Sequence, residues 1–226
     1  MNDNPIERIE VNLRAEALNQ RKAALDELAG YPPDVAVPIL QNLVYEKDFL
    51  LRRLGVMGLG NHKTENSLQL LQEIIAQEQD GNVLAEAANS IFDFGDKAIP
   101  ILTELFYKCD NWLVRQTVIS LLIEASDSDA LFSVAISGLK DDTETVKYTS
   151  ILALGHLLKT PLHNQALDLL TNMATDENWR IRWKTTQALQ FTKDIKAKVI
   201  ITKLQQDEHY RVVAAALEIA SQWGEK

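Results

Sequence analysis

The sequence predicts an all-α fold, an α-α superhelix of about seven stacked helical hairpins. One pattern of basic, small and large apolar residues recurs along the 226 residues. Its average spacing is about 32 residues, a length typical of one helical hairpin in repeat proteins. A second amphipathic segment with helical periodicity precedes each copy. Segments of alternating polar and apolar residues, which would indicate strands, are absent from the sequence.

Each copy of the pattern is counted from an origin that is usually a basic residue. The residue three positions later is usually small, and the residue seven positions later is leucine or isoleucine in every copy but the last, which has Glu218. Positions +3, +4, +7 and +11 fall on one stripe of a helix with about 3.6 residues per turn, so this stripe is expected to be buried. The origins are Arg21, Arg52, Leu84, Arg115, Lys147, Arg182 and Arg211.

Each origin belongs to the second helix of a hairpin. These second helices are predicted near residues 15–29, 48–60, 82–94, 111–125, 143–158, 177–191 and 208–222. Aspartates four to six residues before most origins suit the turn and the N-cap of the second helix. One hairpin cannot bury its apolar stripe alone, so the hairpins are expected to stack into a single domain over residues 1–226. The segment to about Leu13 and the last helix are expected to cap the stack.

Several segments resemble a known family of repeats. They are Val37-Pro38-Ile39-Leu40 and Ile99-Pro100-Ile101-Leu102 in first helices, and Val114-Arg115, Val146-Lys147, Ile181-Arg182, Gly58-Leu59-Gly60 and Ala153-Leu154-Gly155 in second helices. Over nearly the whole chain they are similar to the HEAT-like repeats of the phycobilisome (phycocyanobilin) lyase group, which includes the phycobilisome-degradation adaptors. The resemblance implies a HEAT-like solenoid from a cyanobacterium that binds phycobiliproteins. The alternative that it implies is a subunit of a bilin chromophore lyase, with a bilin as its ligand.

Charge and composition exclude several other classes of protein. The net charge of −9 repels phosphate backbones and anionic lipid, so nucleic acid is not an expected partner. A helical-repeat DNA glycosylase, the least favoured alternative, would need a cationic groove. The apolar runs are too short to span a membrane, and Met1–Asn4 lack the features of a signal peptide, so a cytoplasmic location is expected.

No catalytic or metal-binding pattern is present in the sequence. The four histidines, His62, His156, His163 and His209, lie in different hairpins, without a second ligand at the spacing that a helical metal site requires. The lone cysteine, Cys109, is expected to be buried and inert. Neither a catalytic residue nor a metal or cofactor is therefore predicted, and a non-enzymatic binding protein is the favoured interpretation. The basic origins are expected to pair with acidic turn residues of their own or the adjacent repeat.

A binding surface is predicted on the outward face of the second helices. Positions +2, +5 and +9 point away from the buried stripe, and second helices line the concave side of a HEAT-type stack. Apolar side chains flank an acidic middle formed by Glu86, Asp93 and Glu124, which suits a protein-binding groove. The predicted groove residues are Leu54, Met57, Glu86, Asn89, Asp93, Thr117, Ser120, Glu124, Leu152, His156, Lys184, Gln187 and Phe191.

Aromatic residues form a second candidate surface, at the ridge where the hairpins turn. Phe49, Trp112 and Trp179 occupy the same repeat position, three residues before the origin. A shared position argues for a shared role, which is either to cover the top of the hairpin or to contact a partner. Trp183 lies off the buried stripe and is expected to be partly exposed. Trp112, Trp179 and Trp183 are the predicted ridge contacts.

Overall fold

A computed structural model describes residues 4–224, and these residues form fourteen α-helices and no strand. The all-α prediction is confirmed. Residues 1–3 and 225–226 of the predicted domain lie outside the described residues, and they include most of the Met1–Asn4 segment. A short 3-10 helix, Gly95–Lys97, precedes the seventh α-helix. The helices are α1 (Pro5–Leu13), α2 (Leu18–Leu28), α3 (Pro33–Val44), α4 (Phe49–Asn61), α5 (Glu65–Gln77), α6 (Gly81–Phe92), α7 (Ala98–Lys108), α8 (Trp112–Glu124), α9 (Ser128–Gly138), α10 (Glu144–Leu157), α11 (His163–Met173), α12 (Trp179–Leu189), α13 (Ile195–Leu204) and α14 (Tyr210–Gly224).

The helices follow one another as seven hairpins, α1–α2 to α13–α14, and form two compact units. Unit 1 comprises Met1–Val118 and unit 2 comprises Ile119–Lys226, so the division falls inside α8. In unit 1 the second helices α2, α4 and α6 pack side by side in chain order, as do α10, α12 and α14 in unit 2. Second helices contact one another more extensively than first helices do, which places them on the inner side of each stack. The single domain over residues 1–226 stays a prediction.

Two N-caps and a small residue help to close hairpins of unit 1. Asp48 and Asp80 are the N-caps of α4 and α6, where their carboxylates accept hydrogen bonds from backbone amides of the first turn. At position +3, a Cβ on Gly55 would lie 2.8 Å from Val44 Cγ1. The small residue is therefore needed because α3 and α4 approach closely at this point.

The predicted buried stripe is confirmed at positions +3, +4 and +7 in six repeats. Position +11 lies beyond the end of each of these helices and is exposed in five of the six repeats, as at Lys63, so that part of the prediction was wrong. The residues at +7, which are Leu28, Leu59, Ile91, Leu122, Leu154 and Leu189, are all completely buried. Each of these six second helices also begins three residues before its origin, for example α12 at Trp179 before Arg182. The origin chosen from the sequence therefore matches the structure in these repeats.

The origin predicted for the last repeat is wrong by two residues. Since α14 begins at Tyr210, its origin by the rule of the other repeats is Val213, which lies 31 residues after Arg182. Ala216 then occupies position +3 and is buried. Arg211 and Glu218 are both exposed. Glu218 thus occupies an outward-facing position and leaves the repeat unbroken.

Candidate functional site

Arginines at three origins pair with an acidic residue of the next repeat, and of these Arg182 is buried while Arg21 and Arg52 are half-buried. Arg182 Nε donates to Asp207 Oδ2 over 2.7 Å, and its Nη1 donates to the carbonyls of Asp176 and Glu177 over 2.8 and 3.0 Å. Arg52 makes the same set of bonds in unit 1, to Glu78 and to the carbonyls of Glu46 and Lys47. Arg21 reaches Asp48 at 3.6 Å. We call this arrangement the arginine clamp, and it confirms the predicted pairing for these three origins.

The clamps shift the pKa values of the groups in them. The hydrogen bond from Arg182 lowers the pKa of Asp207, and burial only partly opposes it. Burial by itself raises the pKa of Glu78, but hydrogen bonds from Arg52 and from two backbone amides outweigh it, so the pKa of Glu78 is also lowered. Both carboxylates are therefore ionised at neutral pH, and these arginines are not available to bind an external anion.

One clamp is missing in unit 1, and a pocket takes its place. Leu84 stands at the origin where an arginine is usual, and Cys109 stands six residues before the next origin, where Glu78 and Asp207 stand in their repeats. Both line a pocket of 640 Å³ together with apolar side chains of α5 and α7. Contrary to expectation, Cys109 is half-exposed, because it lies on the wall of this pocket.

The predicted ridge aromatics belong to a longer row at the first position of the second helices. Trp112 is 47% exposed and Phe49 is 39% exposed. The row also includes two residues that the sequence did not single out, Leu18 at 64% and Tyr210 at 70% exposure. Trp179 is half-buried. We call these five residues the edge row. Tyr210 was missed because the origin of its repeat was misplaced, and Leu18 because only aromatic rings were considered.

Aromatic rings and cations cluster where α12 and α14 begin. The rings of Trp179 and His209 stack in parallel at 3.7 Å between centroids. Three cations lie over ring faces: Arg180 over Trp179 at 4.6 Å, Lys184 over Trp183 at 4.5 Å and Arg211 over Tyr210 at 5.9 Å. Burial lowers the pKa of Lys184. We call Trp179, Arg180, Trp183, Lys184, Tyr210 and Arg211 the C-terminal patch.

A groove continues from the C-terminal patch between α12 and α14 and has a volume of 450 Å³. Trp183, Gln187 and Gln190 line it on α12. Tyr210, Arg211, Glu218 and Gln222 are among the residues that line it on α14. Two residues predicted from the sequence, Trp183 and Gln187, thus meet at one groove. Trp183 is half-buried.

In unit 1 the structure corrects part of the predicted acidic groove. Glu86 is only 9% exposed, and its Oε2 accepts a hydrogen bond from Arg53 Nε on α4 over 2.9 Å. The expected exposure of Glu86 was wrong because Arg53 lies against it. Asp93 is exposed but lies 3.7 Å from Lys63 Nζ. Two of the three predicted carboxylates are therefore partly neutralised by neighbouring cations.

The other predicted groove residues are accessible to different degrees. Asn89, Ser120 and Glu124 are exposed, and Leu54, Met57, Thr117, Leu152, Lys184 and Gln187 are half-buried. In unit 2 the rings of His156 and Phe191 are in contact, with centroids 4.3 Å apart, and Lys159 lies over the Phe191 ring at 4.9 Å. Burial and then the charge of Lys159 lower the pKa of His156, so its ring is neutral at neutral pH.

Neither a metal-binding cluster nor a membrane-spanning helix occurs within residues 4–224. No group of three or more His, Cys, Asp and Glu side chains in this range is placed to hold a metal ion. Within the same residues, the helices are all too short or too polar to cross a bilayer.

Stacked helical hairpins of this kind place the chain in the class of helical-repeat scaffolds. The chain belongs to the HEAT repeat family, whose model matches residues 9–92, 38–123 and 132–221. No curated protein matches the chain in sequence.

Several solved structures share the fold. YibA of Escherichia coli is 17% identical, with a TM-score of 0.69 over 99% of this chain and 83% of that chain. A HEAT-like repeats protein of the archaeon Thermococcus onnurineus NA1 is 13% identical, with a TM-score of 0.58 over 98% and 97%. A chain of the CpcE and CpcF complex of phycocyanin lyase from Nostoc sp. PCC7120 is 17% identical, with a TM-score of 0.50 over 96% and 94%.

Proposed function

We propose that this HEAT repeat protein is a non-enzymatic adaptor that binds another protein through the edge row and the inner faces of its second helices. The proposed partner is a phycobiliprotein. The inner-face residues are those predicted from the sequence, except Glu86, which is buried. Asp93 stays in the set because it remains exposed beside Lys63.

The exposure of the edge row is the observation that carries the proposal. Four of its members, Leu18, Phe49, Trp112 and Tyr210, are large apolar side chains that solvent reaches. The first position of a helix is exposed, and a polar residue there does not destabilise the fold. Large apolar residues that recur at this position therefore indicate a role other than folding. Aromatic side chains of this kind are enriched at the energetic centres of protein interfaces.

Two observations support the choice of a phycobiliprotein. The sequence motifs resemble the repeats of the phycobilisome lyase group, and the fold is similar to that of a chain in the CpcE and CpcF complex of phycocyanin lyase. In that complex one protein chain of this fold binds another protein. An adaptor for phycocyanin needs a protein-binding surface of this kind and no catalytic residue.

Purified phycocyanin is the probe that tests the proposal. Replacing Leu18, Phe49 and Trp112 by Ser should weaken binding at least about tenfold, because each removes apolar contact area from the interface. The control replaces three apolar residues outside the edge row that are each at least 51% exposed, Val11, Ile195 and Val199, by Ser and should bind as wild type does. Biolayer interferometry measures both affinities. If wild type does not bind phycocyanin, the partner is wrong, and if both triple variants bind alike, the surface is wrong.

A subunit of a bilin lyase is the alternative function. Under the adaptor proposal, adding phycocyanobilin to the purified chain should leave the absorbance spectrum of the pigment unchanged. A shifted and intensified absorbance band would show that the chain holds the bilin and would favour the lyase alternative. A mobility shift of duplex DNA at low salt would favour the glycosylase alternative.

A further inference from the structure

We infer that the C-terminal patch docks an acidic segment of the partner protein, a short extended stretch with two or three carboxylates beside an aromatic or apolar side chain. The inference rests on the proposed function in assuming a protein partner, but it does not depend on which protein that is. It concerns residues of unit 2 alone, while the edge-row test above changes residues of unit 1.

The first support is that the three cations of the patch have no carboxylate partner. Within residues 4–224, no carboxylate oxygen lies within 4.0 Å of the cationic nitrogens of Arg180, Lys184 or Arg211. Arg182, which lies on α12 with Arg180 and Lys184, pairs with both Asp207 and Glu208. Three cations without a carboxylate partner in one place leave donors for charge-assisted hydrogen bonds to an external carboxylate, in a chain whose net charge is −9.

The second support is that these cations are held in place. Each lies over an aromatic ring, and Arg211 Nε also donates to the hydroxyl of Tyr210 over 3.2 Å. The stacked ring of His209 in turn fixes Trp179. A guanidinium that already rests on a ring loses less conformational freedom when it binds a carboxylate. Arginine and tryptophan together are the residues most enriched at interface hot spots.

The groove sets the length and direction of the segment. Along α14, Tyr210 and Gln222 are about 18 Å apart at about 1.5 Å per residue. Five or six residues of extended chain at about 3.3 Å each fill that length. The amides of Gln187, Gln190 and Gln222 line the groove and can pair with a peptide backbone. Glu218 lies two turns beyond Arg211 on α14 and would repel a carboxylate of the bound segment. The carboxylates of the segment must therefore lie at the Arg211 end of the groove, and its other end must be neutral or basic.

A nucleic acid fits this site less well than an acidic peptide. Three cations neutralise only a few phosphates, and the exposed Glu177 and Glu208 beside them repel a longer polyanion. The whole-chain charge of −9 also opposes such a ligand. An acidic segment with an apolar anchor satisfies the cations and covers the rings at once.

A synthetic peptide of about eight residues, an estimate that follows from the groove length, tests the inference. Its first half is acidic with one phenylalanine, its second half is neutral, and it carries a rhodamine label for fluorescence anisotropy. A second peptide replaces each Asp and Glu by Asn and Gln. We expect the acidic peptide to bind wild type and the amide peptide to bind at least about tenfold more weakly, since charge-assisted hydrogen bonds are stronger than those to neutral amides.

Charge reversal identifies the site. Arg180→Glu with Arg211→Glu should reduce binding of the acidic peptide at least about thirtyfold. The control Lys198→Glu with Lys203→Glu changes the net charge equally at exposed positions of α13 and should stay within about twofold of wild type at about 0.1 M salt. If charge reversal at Arg180 and Arg211 lowers the melting temperature, neutral substitutions repeat the test. These are Arg180→Gln with Arg211→Gln, compared with Lys198→Gln and Lys203→Gln.

Three results would overturn the inference. The first is that the two peptides bind with equal affinity. The second is that the α13 control loses as much affinity for the acidic peptide as the patch variant does. The third is that a labelled single-stranded DNA of similar length binds more tightly than the peptide and that the same charge reversal abolishes DNA binding. If the acidic peptide binds while phycocyanin does not, the proposed partner fails and the docking site stands. If phycocyanin binds while the acidic peptide does not, the docking site alone fails.

Discussion

At the scale of single residues, burial separates two arginines that lie two positions apart on one helix. Arg182 is buried and holds two carboxylates and two carbonyls, whereas Arg180 is exposed and rests on Trp179. The sequence predicted that origins pair with acidic turn residues, since a charge on a buried stripe needs a partner. It could not predict that Arg53 covers Glu86, because that contact joins two helices whose relative rotation is set by packing.

Removing the buried guanidinium should be costly. Arg182→Ala leaves Asp207 and two backbone carbonyls without their donor, so we expect a loss of about 3 kcal/mol in the free energy of unfolding. The control Arg180→Ala, two residues away, should cost less than about 0.5 kcal/mol. Urea titrations of both variants measure the difference. Equal losses would mean that the clamp contributes nothing beyond helix propensity.

The clamps should also make the protein sensitive to acid. The pKa values of Glu78 and Asp207 are lower in the folded state than in the unfolded state. Their contribution to stability is therefore fully present above the unfolded-state pKa of about 4 and is lost as the pH falls through the folded-state pKa. Stability measured by urea titration should drop steeply below about pH 4. The drop should be smaller in Asp207→Asn, while Asp168→Asn, at an exposed carboxylate, should follow wild type.

At the scale of helices, the repeat pattern predicted every hairpin but misplaced the last origin. Six second helices begin three residues before the predicted origin, and their +7 residues are buried. In the last repeat the search for a basic residue selected Arg211, although the clamp position there is Val213. The groove beside α14 was missed for the same reason, because Glu218, which lines it, was counted at the buried position +7.

The missing clamp in unit 1 can be rebuilt. Leu84→Arg together with Cys109→Asp restores the pair found at Arg52 and Glu78, one repeat away. Each single substitution should destabilise, because a charge is placed in the pocket without a partner. The double variant should recover at least about 1 kcal/mol relative to the sum of the single losses, which a double-mutant cycle measures. Additive losses would show that the pocket prevents the geometry of a clamp.

At the scale of the whole chain, the two compact units share one helix. The division between them falls between Val118 and Ile119, inside α8. Helix formation is cooperative, and each unit contains one half of α8. Unfolding of one unit therefore removes the support for the half of α8 that lies in the other unit. The single domain predicted from the sequence requires that both units unfold together.

Thermal unfolding should therefore be one transition, with the same midpoint by circular dichroism and by tryptophan fluorescence. Ser120→Pro should split it in two, because proline inside a helix costs about 3 kcal/mol and interrupts the shared element. Ser120 is exposed, so Ser120→Ala is a control without a packing change. Two transitions in the wild-type protein would show that the units are separate domains.

The arginine clamp also determines how such a chain can change in length. A complete repeat carries an acidic residue that accepts from the repeat before it and an arginine that donates to the repeat after it, as Arg52 does to Glu78 and Arg182 to Asp207. A tandem duplication of one such unit of about 31 residues brings both halves of the bond with it, so no buried charge is orphaned at either junction. Val213 carries no guanidinium, so a second copy of the α13–α14 hairpin would bring no such donor with it.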